Sequence, residues 1–232
     1  MNPGARIVVL GKQGAGKGTQ AVRLSRHYVV PHVSTGDTFR AAVRSGSEFG
    51  RKAKTFLDAG DLVPDEIVNG MVQERLSHSD AVHRGFVLDG FPRTVRQGEA
   101  LMDMLSPVTL DVVLNLEIDT AEVLVRLANR RVCVDCGANY SYPDNPPRVP
   151  DICDVCGGEV VQRDDDTEPA IRRRLELYER ETAPLIHWFS ARGLLANIQA
   201  SGPPDEVTRR LVSEVDRRKD VASSDSSAAG QL

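Results

Sequence analysis

A glycine-rich segment near the N-terminus has the composition and context of a phosphate-binding loop. Residues 11–19 follow a β-branched run at 6–10, which predicts a buried strand, and precede residues 20–28, where apolar side chains recur at helical spacing. The glycines let backbone N–H groups converge on an anion at the positive end of the helix dipole. Lys17 would add a full charge for the outer phosphates, and Thr19 a hydroxyl donor. A glycine turn with a surface lysine is the competing interpretation, which the order of strand, turn and helix disfavours.

Four cysteines have the spacing of a tetrahedral metal site. They form two Cys-x-x-Cys pairs separated by sixteen residues, each pair followed by glycine: Cys133, Cys136, Cys153 and Cys156. Four thiolates without an open position predict a structural zinc ion that holds a flap too small to have its own core. Two disulfides or a nucleic-acid-binding zinc ribbon are the alternatives, and the acidic residues between 143 and 166 disfavour the ribbon.

Other charged residues could complete a phosphate site. Asp89 ends an apolar run and could hold Mg²⁺ through water, although an aspartate at a strand end is more often a turn or cap residue. Guanidinium groups bind phosphate through paired hydrogen bonds, and seven arginines fall where inserted segments would meet a core: Arg40, Arg93, Arg126, Arg130, Arg131, Arg163 and Arg174. Solvated helix faces would explain any single arginine equally well. Since residues 172–174 are all arginine on one predicted helix, only one or two of them can reach the site.

The elements that must position these residues alternate between strand and helix. Strand-like runs recur at residues 7–10, 86–88, 112–116 and 194–198, with helical stretches between them. This alternation predicts an α/β fold, a P-loop core whose parallel sheet is flanked by helices, with phosphate ligands beyond the carboxyl ends of the strands. A long helix is predicted at 170–190, with Thr167 or the preceding aspartate as N-cap and Pro169 in its first turn.

Two segments interrupt the alternation and predict two flaps inserted into one core. The predicted core comprises residues 1–33, 65–130 and 163–218, and the flaps comprise residues 34–64 and 131–162. Residues 219–232 are small and polar, so we expect a disordered tail.

Composition excludes several classes of function. A net charge of −4 gives no global basic field for nucleic acid or an anionic membrane. The N-terminal residues lack the apolar stretch of a signal peptide, and no run of about 18 apolar residues is present. We therefore expect a cytoplasmic protein without nucleic-acid or membrane partners.

At this point the motifs resemble those of the adenylate kinase family over about residues 5–215. The resemblance covers the loop Gly-x-x-Gly-Ala-Gly-Lys-Gly-Thr-Gln, in which Gly18 separates lysine from threonine, a departure from the general P-loop that this family shares. It also covers residues 34–40, 89–93 with Gln97, 136–140, 145–147, 156–158 and 162–166. Lys12 and Gln13 depart from the family, which usually has a small residue and proline there.

The resemblance implies reversible, Mg²⁺-dependent transfer of the terminal phosphoryl group of ATP to AMP, giving two ADP, by a monomer. It makes 34–64 the AMP-binding flap and 131–162 a zinc-bearing lid, with Asp89 binding Mg²⁺ through water. By position, the ATP contacts would be Gly14, Ala15, Gly16, Lys17, Gly18, Thr19, Arg130, Asn139, Tyr140 and Gly202. The AMP contacts would be Thr35, Arg40, Asp61, Leu62, Val63, Gly90, Phe91, Pro92, Arg93, Gln97, Arg163 and Arg174. The catalytic residues would be Lys17, Arg93, Arg130, Arg163 and Arg174.

Two other functions stay open from the sequence. A kinase for UMP, CMP or GMP would share most of these motifs, because the choice of base depends on few contacts. A non-catalytic nucleotide sensor would keep the loop without phosphoryl transfer. No nucleophilic side chain is needed for such transfer, and the five histidines match no functional motif position.

Overall fold

A five-stranded parallel sheet forms the centre of the molecule. The structure is a computed structural model that describes residues 4–142, 145–163 and 166–229, except for the side chains of Phe49 and residues 222–229. The strands are β1 Ala5–Gly11, β2 His32–Ser34, β3 Gly85–Asp89, β4 Val112–Glu117 and β8 Leu195–Gln199. Their order across the sheet is β2-β3-β1-β4-β8, and every neighbouring pair is parallel. The four predicted strands are confirmed, and β2 is an addition at the edge.

Helices cover both faces of this sheet, as the unbroken apolar strands predict. Successive residues of β1 point to opposite faces, so Ile7 and Val9 join one core cluster while Val8 and Leu10 join the other. The first cluster includes apolar residues of α1 Lys17–Tyr28 and α10 Pro204–Ala229. The second includes those of α4 Asp65–Leu76, α5 Ser79–Arg84, α6 Val95–Leu105 and α9 Pro184–Ser190. The α/β fold class is confirmed.

The first inserted segment is a pair of helices, α2 Thr35–Arg44 and α3 Glu48–Ala59. The Ser34 and Ser47 side chains cap their N-termini by accepting hydrogen bonds from backbone N–H groups three residues on. The two helices touch at Gly50, where a Cβ atom would lie 1.9 Å from the Ala42 carbonyl oxygen. This glycine allows a compact flap over the carboxyl edge of the sheet.

The second inserted segment follows α7 Thr120–Ala128 and contains a small antiparallel sheet. Its strands are β5 Arg130–Cys133, β6 Asn139–Ser141 and β7 Val160–Val161, in the order β6-β5-β7. Its hydrophobic cluster consists of Cys133, Tyr140, Cys153 and Val160. A core of this size cannot stabilise a fold alone, and it is built around two of the cysteines.

The predicted helix at 170–190 is present but not regular. It consists of α8 Glu168–Leu177, a π-helical turn Tyr178–Thr182, and α9. Pro184 lacks an N–H, and its ring crowds the preceding turn. The helical hydrogen bonds therefore span five residues instead of four just before it, where the Ala183 N–H donates to the Tyr178 carbonyl at 2.8 Å. Pro169 lies in the first turn of α8, as expected, while Thr167 is the N-cap residue without a side-chain cap bond.

The C-terminal segment differs from the expected disorder. Helix α10 continues to Ala229, and residues 230–232 lie outside the described part of the chain. Val207, Leu211 and Val215 anchor this helix in the core, and extending an existing helix needs no new nucleation. Within the described residues, no helix has the length and apolar character required to cross a membrane.

Candidate functional site

A cleft of about 970 Å³ opens at the carboxyl edge of the central sheet. Its walls come from the loop after β1, the first inserted segment, the small antiparallel sheet, α8 and the segment after β8. Crevices at this edge are where parallel α/β sheets bind ligands. The structure therefore brings the predicted loop, both flaps and most of the predicted arginines to one cavity.

The loop between β1 and α1 wraps the floor of the cleft. Gly14 and Gly16 have positive φ angles of 82° and 91°, and a Cβ on Gly14 would lie 3.0 Å from the Leu127 side chain. Gly16 is the N-cap residue of α1, whose first turn holds no acidic residue. The positive end of that helix therefore faces the cavity, as an anion site requires.

Lys17 lies across this loop with its ammonium group partly buried. Its Nζ donates hydrogen bonds to the carbonyls of Gly11 at 2.7 Å and Lys12 at 2.8 Å. Burial lowers the pKa of Lys17 to about 8, an effect that Asp89 opposes and Arg93 reinforces. A bound anion would supply the charge compensation that the loop carbonyls give only in part.

Asp89 ends β3 beside the loop. It is 9% exposed, and its Oδ2 lies 3.7 Å from His32 Nε2. A Cβ on Gly18 would lie 3.3 Å from the same oxygen, so the glycine between Lys17 and Thr19 makes room for this carboxylate. The position suits a carboxylate that binds a hydrated Mg²⁺ ion next to a phosphate.

Arginines face the cleft from several elements. Arg93 Nε donates to the Gly90 carbonyl at 2.8 Å, and burial lowers its pKa despite Asp89. Arg163 Nη2 donates to Asn139 Oδ1 at 2.9 Å, and Arg174 Nη2 contacts the Leu57 carbonyl at 3.5 Å. Phosphate oxygens could replace the neutral oxygens that these three guanidinium groups contact.

The three consecutive arginines of α8 have different surroundings, because only one of them can lie on the helix face towards the cleft. Arg174 lines the cleft, whereas Arg172 pairs with Glu168 and its side chain is 70% exposed. Arg173 binds Asp61, which itself lines the cleft. Arg40, at the opposite wall, pairs with Asp37, and that guanidinium outweighs the opposing effect of burial to lower the pKa of Asp37.

Arg130 and Asp166 form the most buried ion pair of the cleft. Arg130 Nε donates to Asp166 Oδ2 at 2.7 Å, and its Nη2 bonds Oδ1. The Asp166 side chain is fully buried, and Arg174 Nη1 lies 3.8 Å from the same Oδ1. The Asp166 carboxylate thus fixes the direction of Arg130 and faces Arg174, and both of these arginines are predicted phosphate ligands.

Some predicted contact residues lie behind the wall rather than on it. Four of them do not line the cleft: Thr35, Val63, Phe91 and Gln97. Thr35 Oγ1 donates to the Gly90 carbonyl at 2.8 Å, and Gln97 accepts from the Arg93 N–H at 2.7 Å while donating to Asp65 at 2.6 Å. Tyr140 lines the cleft, while its hydroxyl lies 3.3 Å from Cys153 Sγ in the metal cluster. The remaining predicted nucleotide contacts line the cleft directly.

Two further charged residues shape the cleft without being among the nucleotide contacts that the resemblance implies. Arg126 lines it and donates to Glu122 at 2.5 Å and to the Ala200 carbonyl at 3.0 Å. It is one of the seven arginines that the sequence places where an inserted segment meets the core. Asp166 is the other: it acts on the cleft through Arg130, and the resemblance covers it only as part of residues 162–166.

The four cysteines converge at the outer end of the small sheet. Their Sγ atoms all lie within 4.8 Å of one another, which fits a tetrahedron of thiolates about 2.3 Å from a zinc ion. The shortest pairs are 3.4 and 3.5 Å apart, well beyond the roughly 2.05 Å of a disulfide, and all four are free. The Tyr140 hydroxyl favours the thiolate and lowers the pKa of Cys153 to about 6. The donor set and spacing fit zinc.

Comparison with known proteins agrees with this geometry. A sequence model of the family described as adenylate kinase matches residues 9–194. The adenylate kinase of Acidothermus cellulolyticus is 51% identical over 209 residues, covering 89% of this chain and 96% of that protein. Those of Streptomyces avermitilis and Thermodesulfovibrio yellowstonii are 48% and 47% identical over 215 residues, covering 91% and 92% of this chain and 97% and 100% of theirs. With its phosphate loop, arginine-lined cleft and two inserted flaps, this chain belongs to the adenylate kinase family.

Proposed function

We propose that the cleft transfers the terminal phosphoryl group of ATP to AMP, giving two ADP, in a reversible reaction. The observation that carries this proposal is the placement of a phosphate loop and a set of arginines on opposing walls of one cavity. A site for one nucleotide needs only the loop. Arg40 and Arg93 on the far wall give a second phosphate position, and Arg130, Arg163 and Arg174 come from the elements between them.

ATP and AMP bind against opposite walls of the cleft. The ATP phosphates occupy the loop 14–19, and the nucleotide extends past Arg130, Asn139 and the Tyr140 ring towards Gly202. AMP lies under the first flap, against a set of residues that either line the wall or support it: Thr35, Arg40, Asp61, Leu62, Val63, Gly90, Phe91, Pro92, Arg93 and Gln97. Support for this orientation comes from the N-terminus of α1 and Lys17, which favour the longer anion at the loop.

Catalysis follows from fixed positive charge rather than from a covalent intermediate. Phosphoryl transfer spreads negative charge over the equatorial oxygens, and an enzyme accelerates it by in-line positioning and charge compensation. Lys17, Arg93, Arg130, Arg163 and Arg174 supply that compensation. Closure of the lid and flap over the cleft excludes water, which suppresses simple hydrolysis of ATP.

Mg²⁺ accompanies ATP in this family's chemistry, and the cleft suits it. Asp89 has the carboxylate, the burial and the room made by Gly18 that a water-mediated Mg²⁺ contact needs. When bound, the ion would neutralise phosphate charge beside Lys17.

Zinc in the four-cysteine site would be structural. The lid's buried residues include two of the four ligands, so the ion would provide the stability that the lid's small core lacks. We further infer a cytoplasmic monomer without nucleic-acid or membrane partners. The net charge of −4 supports the absence of nucleic-acid and membrane partners, and the four free thiols support the cytoplasmic location.

A coupled assay with ATP and each nucleoside monophosphate tests the function. We expect kcat/KM for AMP to exceed that for GMP, UMP and CMP by at least about a hundredfold, because wrong bases leave buried polar groups unpaired. The same assay without enzyme is the control. Preference for UMP, CMP or GMP would identify a different nucleoside monophosphate kinase, and nucleotide binding without transfer would indicate a sensor.

Arginines 174 and 172 form a matched pair on one helix. We expect Arg174→Ala to lower kcat by at least about a hundredfold, since it removes a charge aimed at the transferring phosphoryl group. Arg172→Ala should change kcat less than about twofold, because its side chain is 70% exposed and pairs only with Glu168. Equal kcat values for the two folded variants would remove Arg174 from the mechanism.

Removal of zinc should destabilise the lid. We expect a strong chelator to lower the melting temperature by roughly 5 °C or more, with activity recovering once zinc and Mg²⁺ are restored. The double variant Cys136→Ser/Cys156→Ser, which lacks two ligands, should show little further shift with the chelator. A wild-type melting temperature that does not respond to chelation would contradict a structural zinc ion.

A further inference from the structure

Gln13, within the phosphate loop, contacts the buried carboxylate at the base of the lid. Its Nε2 donates to Asp166 Oδ1 at 3.3 Å, the same oxygen that Arg130 Nη2 binds and that Arg174 Nη1 faces at 3.8 Å. The usual proline of the family has no side-chain donor, so this hydrogen bond is available to this chain because it carries glutamine.

The orientation of the Gln13 amide follows from its partner. Both Asp166 oxygens accept hydrogen bonds from Arg130, so the amide nitrogen of Gln13, not its oxygen, faces this carboxylate as a further donor. The Gln13 Oε1 atom is then buried without a hydrogen-bond partner in the described part of the chain. Leaving a buried acceptor unpaired is costly, so the contact with Asp166 has to offset that cost.

The contact joins two parts of the site that the sequence separates. Arg130 begins the strand that leads into the lid, and Asp166 follows the segment that leads out of it, so their ion pair closes the lid's base. Gln13 attaches this base to the loop that holds the ATP phosphates. The neighbouring Lys12 does not do this: it binds Thr120 at 3.0 Å and pairs with Glu179, which is 59% exposed.

We propose that Gln13 is a positioning residue that acts through Asp166 to hold Arg130 towards the ATP phosphates. The proposal rests on the function above, since it requires Arg130 to contact ATP. Without the amide donor, Asp166 Oδ1 loses one of its partners, and the Arg130–Asp166 pair is no longer held in register with the loop. The consequence falls on ATP rather than AMP, because Arg130 and Gln13 both lie on the ATP side.

Steady-state kinetics of three variants tests this role. Gln13→Met keeps the length of the side chain and removes the amide, and we expect KM for ATP to rise about five- to tenfold with KM for AMP and the melting temperature nearly unchanged. Gln13→Glu places a carboxylate against Asp166, and its kcat/KM for ATP should fall at least about tenfold further. Gln73→Met, which changes an exposed glutamine of α4 outside the cleft, is the control, with KM for ATP within about twofold of wild type.

The Asp166→Asn background separates positioning from a general loss of structure. There, Gln13→Glu no longer faces a like charge, and its carboxylate can take over the pairing with Arg130. We expect the double variant Gln13→Glu/Asp166→Asn to recover at least about tenfold in kcat/KM for ATP relative to Gln13→Glu alone. A recovery of this size is not the sum of the two separate effects, so it would show that positions 13 and 166 interact.

The proposal is overturned if Gln13→Met has the same KM for ATP as Gln73→Met, or if the effects at positions 13 and 166 simply add. Should Gln13→Glu not fold, the comparison of Gln13→Met with Gln73→Met decides alone. The activity of the wild type in the same assay distinguishes a failure of the proposed function from a failure of the role of Gln13. A wild type that transfers no phosphoryl group overturns the function, whereas an active wild type matched by Gln13→Met overturns only the role of Gln13.

Discussion

Positive charge has to be held inside the cleft with little access to water, and the rest of the molecule is arranged around that requirement. Burial lowers the pKa of both Lys17 and Arg93, which means that the protein's own groups stabilise these cations less well than water would. Backbone carbonyls of Gly11, Lys12 and Gly90 provide partial compensation. Phosphate groups provide full negative charges at the same place. The free site therefore already favours binding of the phosphoryl group that is transferred.

The fold supplies this arrangement through the edge of its parallel sheet. β1 ends in the phosphate loop and β3 ends in Asp89, and because they are adjacent and parallel, both groups reach the same crevice. The first inserted segment adds Arg40 to this edge, while Arg93, Arg130, Arg163 and Arg174 come from the core, two of them at its junctions with the second inserted segment. Asp166 differs from the other carboxylates of the cleft in being fully buried, and it directs Arg130 where a surface carboxylate could not.

The sequence predicts the parts of this site that depend on local spacing. Glycine spacing identifies the loop, cysteine spacing identifies the metal cluster, and apolar runs identify four of the five strands of the central sheet. It does not predict β2, because three residues are too few to show a pattern. The π-helical turn depends on how the helix accommodates Pro184, and the Gln13–Asp166 contact joins residues 153 positions apart. Sequence also cannot tell a residue that lines the wall from one that supports it, as the hydrogen bonds of Gln97 to Arg93 and Asp65 illustrate.

Proton uptake on ATP binding tests the central claim most directly. If the phosphates stabilise the Lys17 ammonium, binding must raise its pKa from about 8, so a net fraction of a proton should be taken up per ATP at pH 8.5. Calorimetric titrations in two buffers of different ionisation enthalpy measure this number, and Lys17→Arg, which stays charged, should take up none. Equal proton uptake by wild type and Lys17→Arg would contradict the account, because the buried charge would then not be what the phosphates bind.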